Sequence, residues 1–245
     1  MFRHLIAVAA LTIAVPASAG NVTVAVAANF TEPAKDIVAA FQTATGHTAT
    51  LSFGASGGFY TQITHGAPFD VFLSADAERP MQVERDGFAV PRTRSTYAVG
   101  RLVLYSLSPD LIDAKGGVLR RGGFAHLAIA DPVLAPYGAA AVETLQKLKL
   151  YDAVAPKLVK GTSVTQAYQF VATGAAELGF VAASQVVNVP GGSRWLVPAV
   201  DHKPIEQQAV LLKAGATNPA AIAFIKFLHG RAAKAIIKHY GYDVR

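Results

Sequence analysis

The chain contains no cysteine among its 245 residues. This absence excludes disulfide bonds, thiolate metal ligands, a cysteine nucleophile and a lipid-bearing N-terminal cysteine. Beyond the N-terminus there is no apolar run near the roughly 20 residues that a membrane-spanning helix needs. Basic residues outnumber acidic ones, with a formal net charge of +6, but they form no run and no aromatic residues are interleaved with them. We therefore expect no nucleic-acid partner.

The first 19 residues have the pattern of a secretory signal peptide. Arg3 and His4 form a basic start, residues 5–15 are apolar, and residues 17–19 read Ala-Ser-Ala, which is typical of a cleavage site. The alternative, a buried N-terminal helix, is weaker because the segment has no polar face. A secreted chain with neither disulfide nor lipid anchor indicates the bacterial periplasm as its location.

One pattern recurs along the rest of the chain: an apolar strand, a small polar turn and then a helix. This alternation predicts an α/β fold with mostly parallel sheets. In such sheets the turns at the carboxyl ends of strands bind ligands, and the first amides of each helix attract anions. The four predicted strands and the polar residues of their turns are 22–27 with Asn29, 49–53 with Ser56, 126–130 with Tyr137, and 158–160 with Thr162 and Ser163.

A long strand-like stretch at residues 97–106, with Gly100 inside it, predicts a crossover between two lobes. A strand predicted at residues 208–213 then returns the chain to the first lobe. Two of the four turns would come from each lobe and face a cleft between them. The predicted limits of the first lobe are residues 20–98 with 207–245, and those of the second lobe are residues 99–206.

The polar side chains of these turns are all neutral, and all can donate hydrogen bonds. Together with helix-start amides they can hold an oxyanion without a buried cation. The competing interpretation is helix capping, with Glu32 completing a capping box for Asn29 and with Ser56 as a second cap. For either residue alone, capping is the commoner role. The fourfold recurrence of the pattern favours an anion site.

A serine hydrolase is the enzymatic alternative. Residues 54–58 match the G-x-S-x-G nucleophile elbow and lie between a strand and a helix, and Asp131 and His202 would complete the triad with Ser56. Against this, the turn follows only the second strand, and His202 lies in a polar loop. The histidines also lack the spacing of metal ligands. We expect a binding protein without catalysis, metal site or cofactor.

Several segments resemble the periplasmic molybdate-binding proteins, the extracytoplasmic receptors of molybdate ABC transporters. They are VAVAANF, GASGG, GAPFDVFLSAD, DPVLAPYG, GTSVTQAYQFVATGAAELGFV and KAIIKHYGY, and the resemblance covers residues 21–242. It implies a type II periplasmic binding fold, in which two α/β lobes close over a tetrahedral oxyanion. It also implies molybdate or tungstate as ligand, a membrane permease as partner and a monomeric protein. A receptor for another oxyanion, such as sulfate or thiosulfate, is the alternative within binding proteins.

The resemblance implies four ligand positions with a clear counterpart in this chain. Asn29 occupies the place of a family serine or asparagine after the first strand, and Ser56 matches the serine of the second turn. Tyr137 matches an aromatic hydroxyl ligand found in a subset of members. Val164 matches a valine whose backbone amide binds the anion.

The chain departs from the family pattern at two positions. Some members have a ligand threonine where this chain has Ala28, so a contact there is limited to the backbone. Another subset has a ligand tyrosine where this chain has Ala182. Because alanine at position 182 cannot supply an aromatic hydroxyl, the resemblance indicates Tyr137 as the aromatic ligand of this chain.

Overall fold

The computed structural model describes residues 19–244. Of the predicted signal peptide, residues 1–19, only Ala19 falls inside this range, so the prediction lies almost entirely outside the described residues. Within residues 19–244 the chain forms ten strands: β1 Asn21–Ala27, β2 Thr48–Gly54, β3 Val71–Leu73, β4 Ser95–Gly100, β5 Leu102–Ser106, β6 Leu127–Ala130, β7 Leu158–Gly161, β8 Leu178–Ala182, β9 Ser193–Leu196 and β10 Ile205–Leu211.

Helices follow most of the strands, and a short 3-10 turn at Ala28–Phe30 precedes the first of them. No helix in residues 19–244 has both the length and the apolar character that crossing a bilayer demands. The α-helices of this range are α1 Thr31–Thr45, α2 Ser56–Thr64, α3 Glu78–Arg85, α4 Val118–Arg121, α5 Pro136–Lys147, α6 Tyr151–Val154, α7 Val164–Ala172, α8 Ala183–Val186, α9 Pro219–Leu228 and α10 Arg231–His239.

The strands form two five-stranded sheets, in the orders β2-β1-β3-β10-β4 and β7-β6-β8-β5-β9. The strands that carry the recurring pattern are parallel, since β1 pairs with β2 and β3, and β6 pairs with β7 and β8. However, β10 runs antiparallel to β3 and β4, and β5 runs antiparallel to β8 and β9. Both sheets are therefore mixed, not mostly parallel as predicted, because the strands next to the crossings run against their neighbours.

The stretch predicted as one strand at residues 97–106 is two strands in different sheets. The chain leaves the first sheet after β4 and enters the second with β5, so the crossing lies at Arg101. It returns between β9, which the sequence did not predict, and β10, which begins and ends earlier than the predicted 208–213. We call the parts built around the two sheets the first and second lobe. The predicted lobe limits at residues 98 and 207 stay a prediction.

Alternating side chains of one strand cover both faces of each sheet, as buried α/β sheets require. In β1, Val24 and Val26 pack with α1, α9 and α10 on one face, while Ala25 packs with Phe59 of α2 on the other. The apolar core of the second lobe continues into the first lobe, because Ala28 and Ala75 belong to the same buried cluster as Tyr137 and Val164. The two lobes are thus in direct contact.

Candidate functional site

The candidate site is a small cavity between the lobes, lined by the five residues that the resemblance indicated. Thr162 and Ser163, which the sequence pattern also indicated, are not among its lining residues. In the first lobe, Ala28 and Asn29 lie in the 3-10 turn after β1, and Ser56 is the first residue of α2. In the second lobe, Tyr137 and Val164 come from the starts of α5 and α7. The cavity is small: the volume open to the centre of a water molecule is about 10 Å³, which is enough for about one water. The other lining residues are Ala27, Gly54, Ala55, Ala75, Ala135 and Pro136.

Three helix starts from the two lobes meet at this cavity. Helix α2 begins at Ser56, α5 at Pro136 and α7 at Val164, and none of the three has an acidic residue in its first turn. The partial positive charge of each helix start is therefore not neutralised locally. Ser163 caps α7 by accepting a hydrogen bond from the Gln166 backbone N–H at 3.3 Å. None of the cavity-lining residues carries a charge.

Ser56 is buried, and it is not a helix cap. It is the first residue of α2, and the cap position belongs to Ala55. The Ser56 Oγ accepts a hydrogen bond from the backbone N–H of Ala75 at 2.9 Å. Because the oxygen accepts at that point, the hydroxyl proton stays available for donation to another group. The capping prediction for Ser56 was wrong.

Asn29 is also not a cap. The cap position of α1 is Phe30, and Glu32 forms an ion pair with Lys35 at 2.7 Å, so the predicted capping box does not exist. The buried Asn29 Nδ2 instead donates to Gln207 Oε1 at 2.9 Å and to Tyr242 Oη at 2.8 Å. Both side-chain N–H groups are used within the protein, so a contact of this amide with an anion requires one of these bonds to be exchanged.

Tyr137 lies buried at the second-lobe wall of the cavity. Its Oη accepts a hydrogen bond from Gln207 Nε2 at 3.3 Å. Burial raises the pKa of the Tyr137 hydroxyl well above its usual range, and the neighbouring Tyr242 and Tyr97 hydroxyls raise it further. Burial also raises the pKa of Tyr242 to about 12. These hydroxyls therefore keep their protons near neutral pH and act as donors.

The sequence analysis missed the residues that support the site from behind. Gln207 on β10 is fully buried, and Tyr97, Tyr242 and Ser184 are buried around it and around Asn29. The signal was present, since a pair of glutamines at positions 207 and 208 stands beside an apolar strand. A buried amide needs partners, which makes such a pair informative.

Direct hydrogen bonds join the two lobes around the cavity. Since each bond joins a donor of one lobe directly to a backbone carbonyl of the other, the cleft between the lobes is closed. The bonds are Gly57 N–H to Leu134 O at 2.9 Å, Arg79 Nη2 to Val133 O at 2.8 Å, Thr165 Oγ1 to Ala28 O at 3.2 Å, and Ser184 Oγ to Asn29 O at 2.8 Å.

The hydrolase alternative would need Ser56, Asp131 and His202 to be linked. Instead, Asp131 Oδ1 accepts from the Val133 backbone N–H at 2.8 Å, and His202 Nδ1 lies 2.7 Å from Lys203 O in an exposed position. Each member of the triad thus has a different partner. Within residues 19–244, no three side chains of the types His, Cys, Asp and Glu form a group suited to a metal ion.

Comparison with known proteins agrees with this geometry. The sequence model of the bacterial extracellular solute-binding proteins matches residues 22–243. The chain belongs to this family. This chain is similar to the molybdate-binding protein ModA of Rhodobacter capsulatus along nearly the whole length of both proteins. The two are 58% identical over 230 residues, which cover 94% of this chain and 91% of that protein.

A second relative and a solved structure are also molybdate-binding proteins. The molybdate-binding protein ModA of Azotobacter vinelandii is 52% identical, over 99% of this chain and 98% of that protein. A solved periplasmic molybdate-binding protein of Azotobacter vinelandii superposes with a TM-score of 0.89 at 41% identity, covering 91% of this chain and 99% of that one. The resemblance inferred from the sequence segments is confirmed, and so is the two-lobe α/β fold.

Proposed function

We propose that this solute-binding protein captures molybdate, and also tungstate, and delivers it to the membrane permease of an ABC transporter. The observation that carries the proposal is the convergence of Asn29, Ser56, Tyr137 and Val164, from both lobes, on one uncharged cavity. The relatives with the highest identities quoted above are named for molybdate binding. The protein acts by binding, as a monomer, and has no catalytic step.

The donors at the cavity suit a desolvated oxyanion. The Ser56 and Tyr137 hydroxyls each accept from the protein and keep a proton to donate. Val164 is the first residue of α7, where a backbone N–H has no partner within the helix. With three helix starts adding partial positive charge, the site can balance an anion without lysine or arginine. Ala28 contributes at most a backbone contact.

The size of the cavity links the ligand to lobe closure. Since the closed cleft has room for about one water, a larger oxyanion fits only if the lobes separate slightly around it. If the lobes close to a fixed separation that matches molybdate, a smaller anion such as sulfate would leave donors unsatisfied, which weakens its binding. Molybdate and tungstate are nearly the same size, so we expect both to bind.

We propose the periplasm as the place of action, reached through cleavage of the signal peptide at residues 1–19. The lobes would span residues 20–98 with 207–245, and residues 99–206. The two crossings between the sheets would act as the hinge, which opens to admit the anion and closes to present it to the permease.

A calorimetric titration with molybdate, tungstate, sulfate and phosphate tests the proposal. We expect tight binding of molybdate and tungstate, with sulfate and phosphate much weaker. Tight sulfate binding without a molybdate signal would replace the proposal with a receptor for another oxyanion. An ester-hydrolysis assay of the wild type and of Ser56→Ala addresses the enzymatic alternative, because activity lost in the variant would contradict a pure binding role.

Removal of either hydroxyl at the cavity should weaken molybdate binding. We expect Ser56→Ala and Tyr137→Phe each to cost about 1–3 kcal/mol, because a charged group loses one donor in a buried site. The measurement is the dissociation constant by calorimetry. Ser95→Ala and Tyr240→Phe are matched controls, since each removes a hydrogen-bonded hydroxyl distant from the cavity lining. Unchanged affinity in both cavity variants would place the anion elsewhere.

A further inference from the structure

Four buried side chains form one hydrogen-bonded chain behind the cavity: Tyr242, Asn29, Gln207 and Tyr137. Asn29 Nδ2 links Tyr242 Oη at 2.8 Å to Gln207 Oε1 at 2.9 Å, and Gln207 Nε2 reaches Tyr137 Oη at 3.3 Å. Each of the four residues is at most 4% exposed. The chain runs from the C-terminal segment through the 3-10 turn after β1 and through β10 to α5, so it joins the first lobe to the second.

The backbone carbonyl of Asn29 determines the direction of these bonds, because a carbonyl oxygen can only accept. Ser184 Oγ and Tyr242 Oη both donate to it at 2.8 Å, and Ser184 Oγ lies 2.9 Å from Tyr242 Oη. Because Tyr242 donates its only hydroxyl proton to this carbonyl, its oxygen can only accept from the side chain of Asn29. That side chain must therefore present its Nδ2 to Tyr242.

The same direction continues through Gln207. The second N–H of the Asn29 amide faces Gln207 and requires an acceptor, which is Oε1. Tyr97 agrees with this orientation, because its hydroxyl lies 3.0 Å from Gln207 Oε1 and 3.2 Å from the Ser74 carbonyl, and it donates toward both. The Gln207 amide then has only Nε2 left to face Tyr137.

The orientation of the Gln207 amide determines the hydrogen bonding of Tyr137. Its oxygen accepts from Gln207, so its own proton is free to be donated. The Tyr242 hydroxyl interacts with Tyr137 and is one acceptor for this proton. An oxyanion bound in the cavity would be the other acceptor. A charged oxyanion is the stronger acceptor of the two.

We propose that Gln207 is a positioning residue for oxyanion binding, which holds Tyr137 as a hydrogen-bond donor to the ligand. This inference rests on the proposed function of the cavity. Gln207 lies on β10, the strand that returns the chain to the first lobe, and Tyr137 belongs to the second. The correct orientation of Tyr137 is therefore coupled to closure of the lobes through one amide.

A double-mutant cycle tests the coupling, with Gln207→Met, Tyr137→Phe and the combination titrated with sodium molybdate. We expect Gln207→Met to weaken binding about 10-fold in the wild-type background but at most about 2-fold in the Tyr137→Phe background. An equal loss in both backgrounds would overturn the proposal. If the wild type itself does not bind molybdate, the proposed function fails, and the same cycle is then judged with sodium sulfate.

The adjacent glutamine provides a matched control. Gln208 lies on the same strand, and its side chain contacts Arg94 at 2.7 Å and Thr96 at 3.1 Å, away from the cavity lining. Gln208→Met should lower the melting temperature without changing the dissociation constant for molybdate. A loss of affinity equal to that of Gln207→Met would show a general effect of the strand and contradict a specific role for Gln207.

A second variant keeps the proposal testable if Gln207→Met does not fold. In Gln207→Glu, a protonated carboxyl can donate to Tyr137 as the amide does, whereas an ionised carboxylate accepts the tyrosine proton and repels the anion. The affinity of this variant relative to wild type should therefore fall as pH rises, by about 10-fold or more once the carboxyl is ionised. A ratio that stays constant over pH would overturn the proposal.

Discussion

Replacing Gly57 with valine will leave both lobes folded but will weaken molybdate binding by about 10- to 100-fold. A Cβ atom at Gly57 would lie 3.1 Å from the Leu134 carbonyl oxygen and 3.2 Å from the Leu134 Cα, in the opposite lobe. The two methyl groups of valine would extend further into this contact. Overpacking of this kind costs about 1–3 kcal/mol or more, and each 1.4 kcal/mol is about tenfold in affinity.

Gly58→Val is the matched control, because a Cβ atom at Gly58 meets nothing within 4 Å. Calorimetry gives the affinities, and small-angle scattering shows whether the ligand still compacts the protein. We expect compaction in the control and none in Gly57→Val, with similar melting temperatures for the two ligand-free variants. Molybdate binding by Gly57→Val at the level of the control would mean that closure does not require this contact.

The second large effect is expected at Gly100, the last residue of β4. A Cβ atom there would lie 2.2 Å from Tyr137 Oη and 2.8 Å from Gln207 Nε2, so the tyrosine hydroxyl cannot keep its position. We expect Gly100→Ala to lower the free energy of unfolding by about 1–3 kcal/mol. It should also weaken molybdate binding at least as much as Tyr137→Phe, because it displaces the same hydroxyl and disturbs Gln207 as well.

A combined variant separates the two consequences of Gly100→Ala. Adding Tyr137→Phe removes the oxygen that the new methyl group meets, so part of the lost stability should return while the affinity stays low. The recovery should be incomplete, because the Tyr137 Cζ would still lie 3.0 Å from that methyl group. Urea unfolding and calorimetry measure the two quantities. Strictly additive losses of stability would show that the clash is not with this hydroxyl.

Much of the secondary structure followed from local patterns. Helix α7 begins after the cap Ser163, and α9 begins after the cap Asn218 with Pro219 at its first position. Both depend on neighbours in the chain, such as a side chain that accepts from an amide two or three residues later. The turns after β1, β2, β6 and β7 could also be located in this way.

The predictions that failed involved long-range partners. Asn29 looked like a cap, but its amide is bonded to Gln207 and Tyr242, which are 178 and 213 positions away. The stretch at residues 97–106 looked like one strand because its apolar pattern continues through the crossing. Its division at Arg101 depends on which strands of each sheet are free to pair.

The order of strands, turns and helices, the neutral character of the turn residues and the family resemblance could all be established from the amino-acid sequence. Only the tertiary structure showed that Ala28, Asn29, Ser56, Tyr137 and Val164 line one cavity. It also showed that Gln207 is hydrogen-bonded to two of them, Asn29 and Tyr137. The physical reason is that a buried amide or hydroxyl can donate or accept in more than one direction, and its direction is decided by partners that the fold brings together.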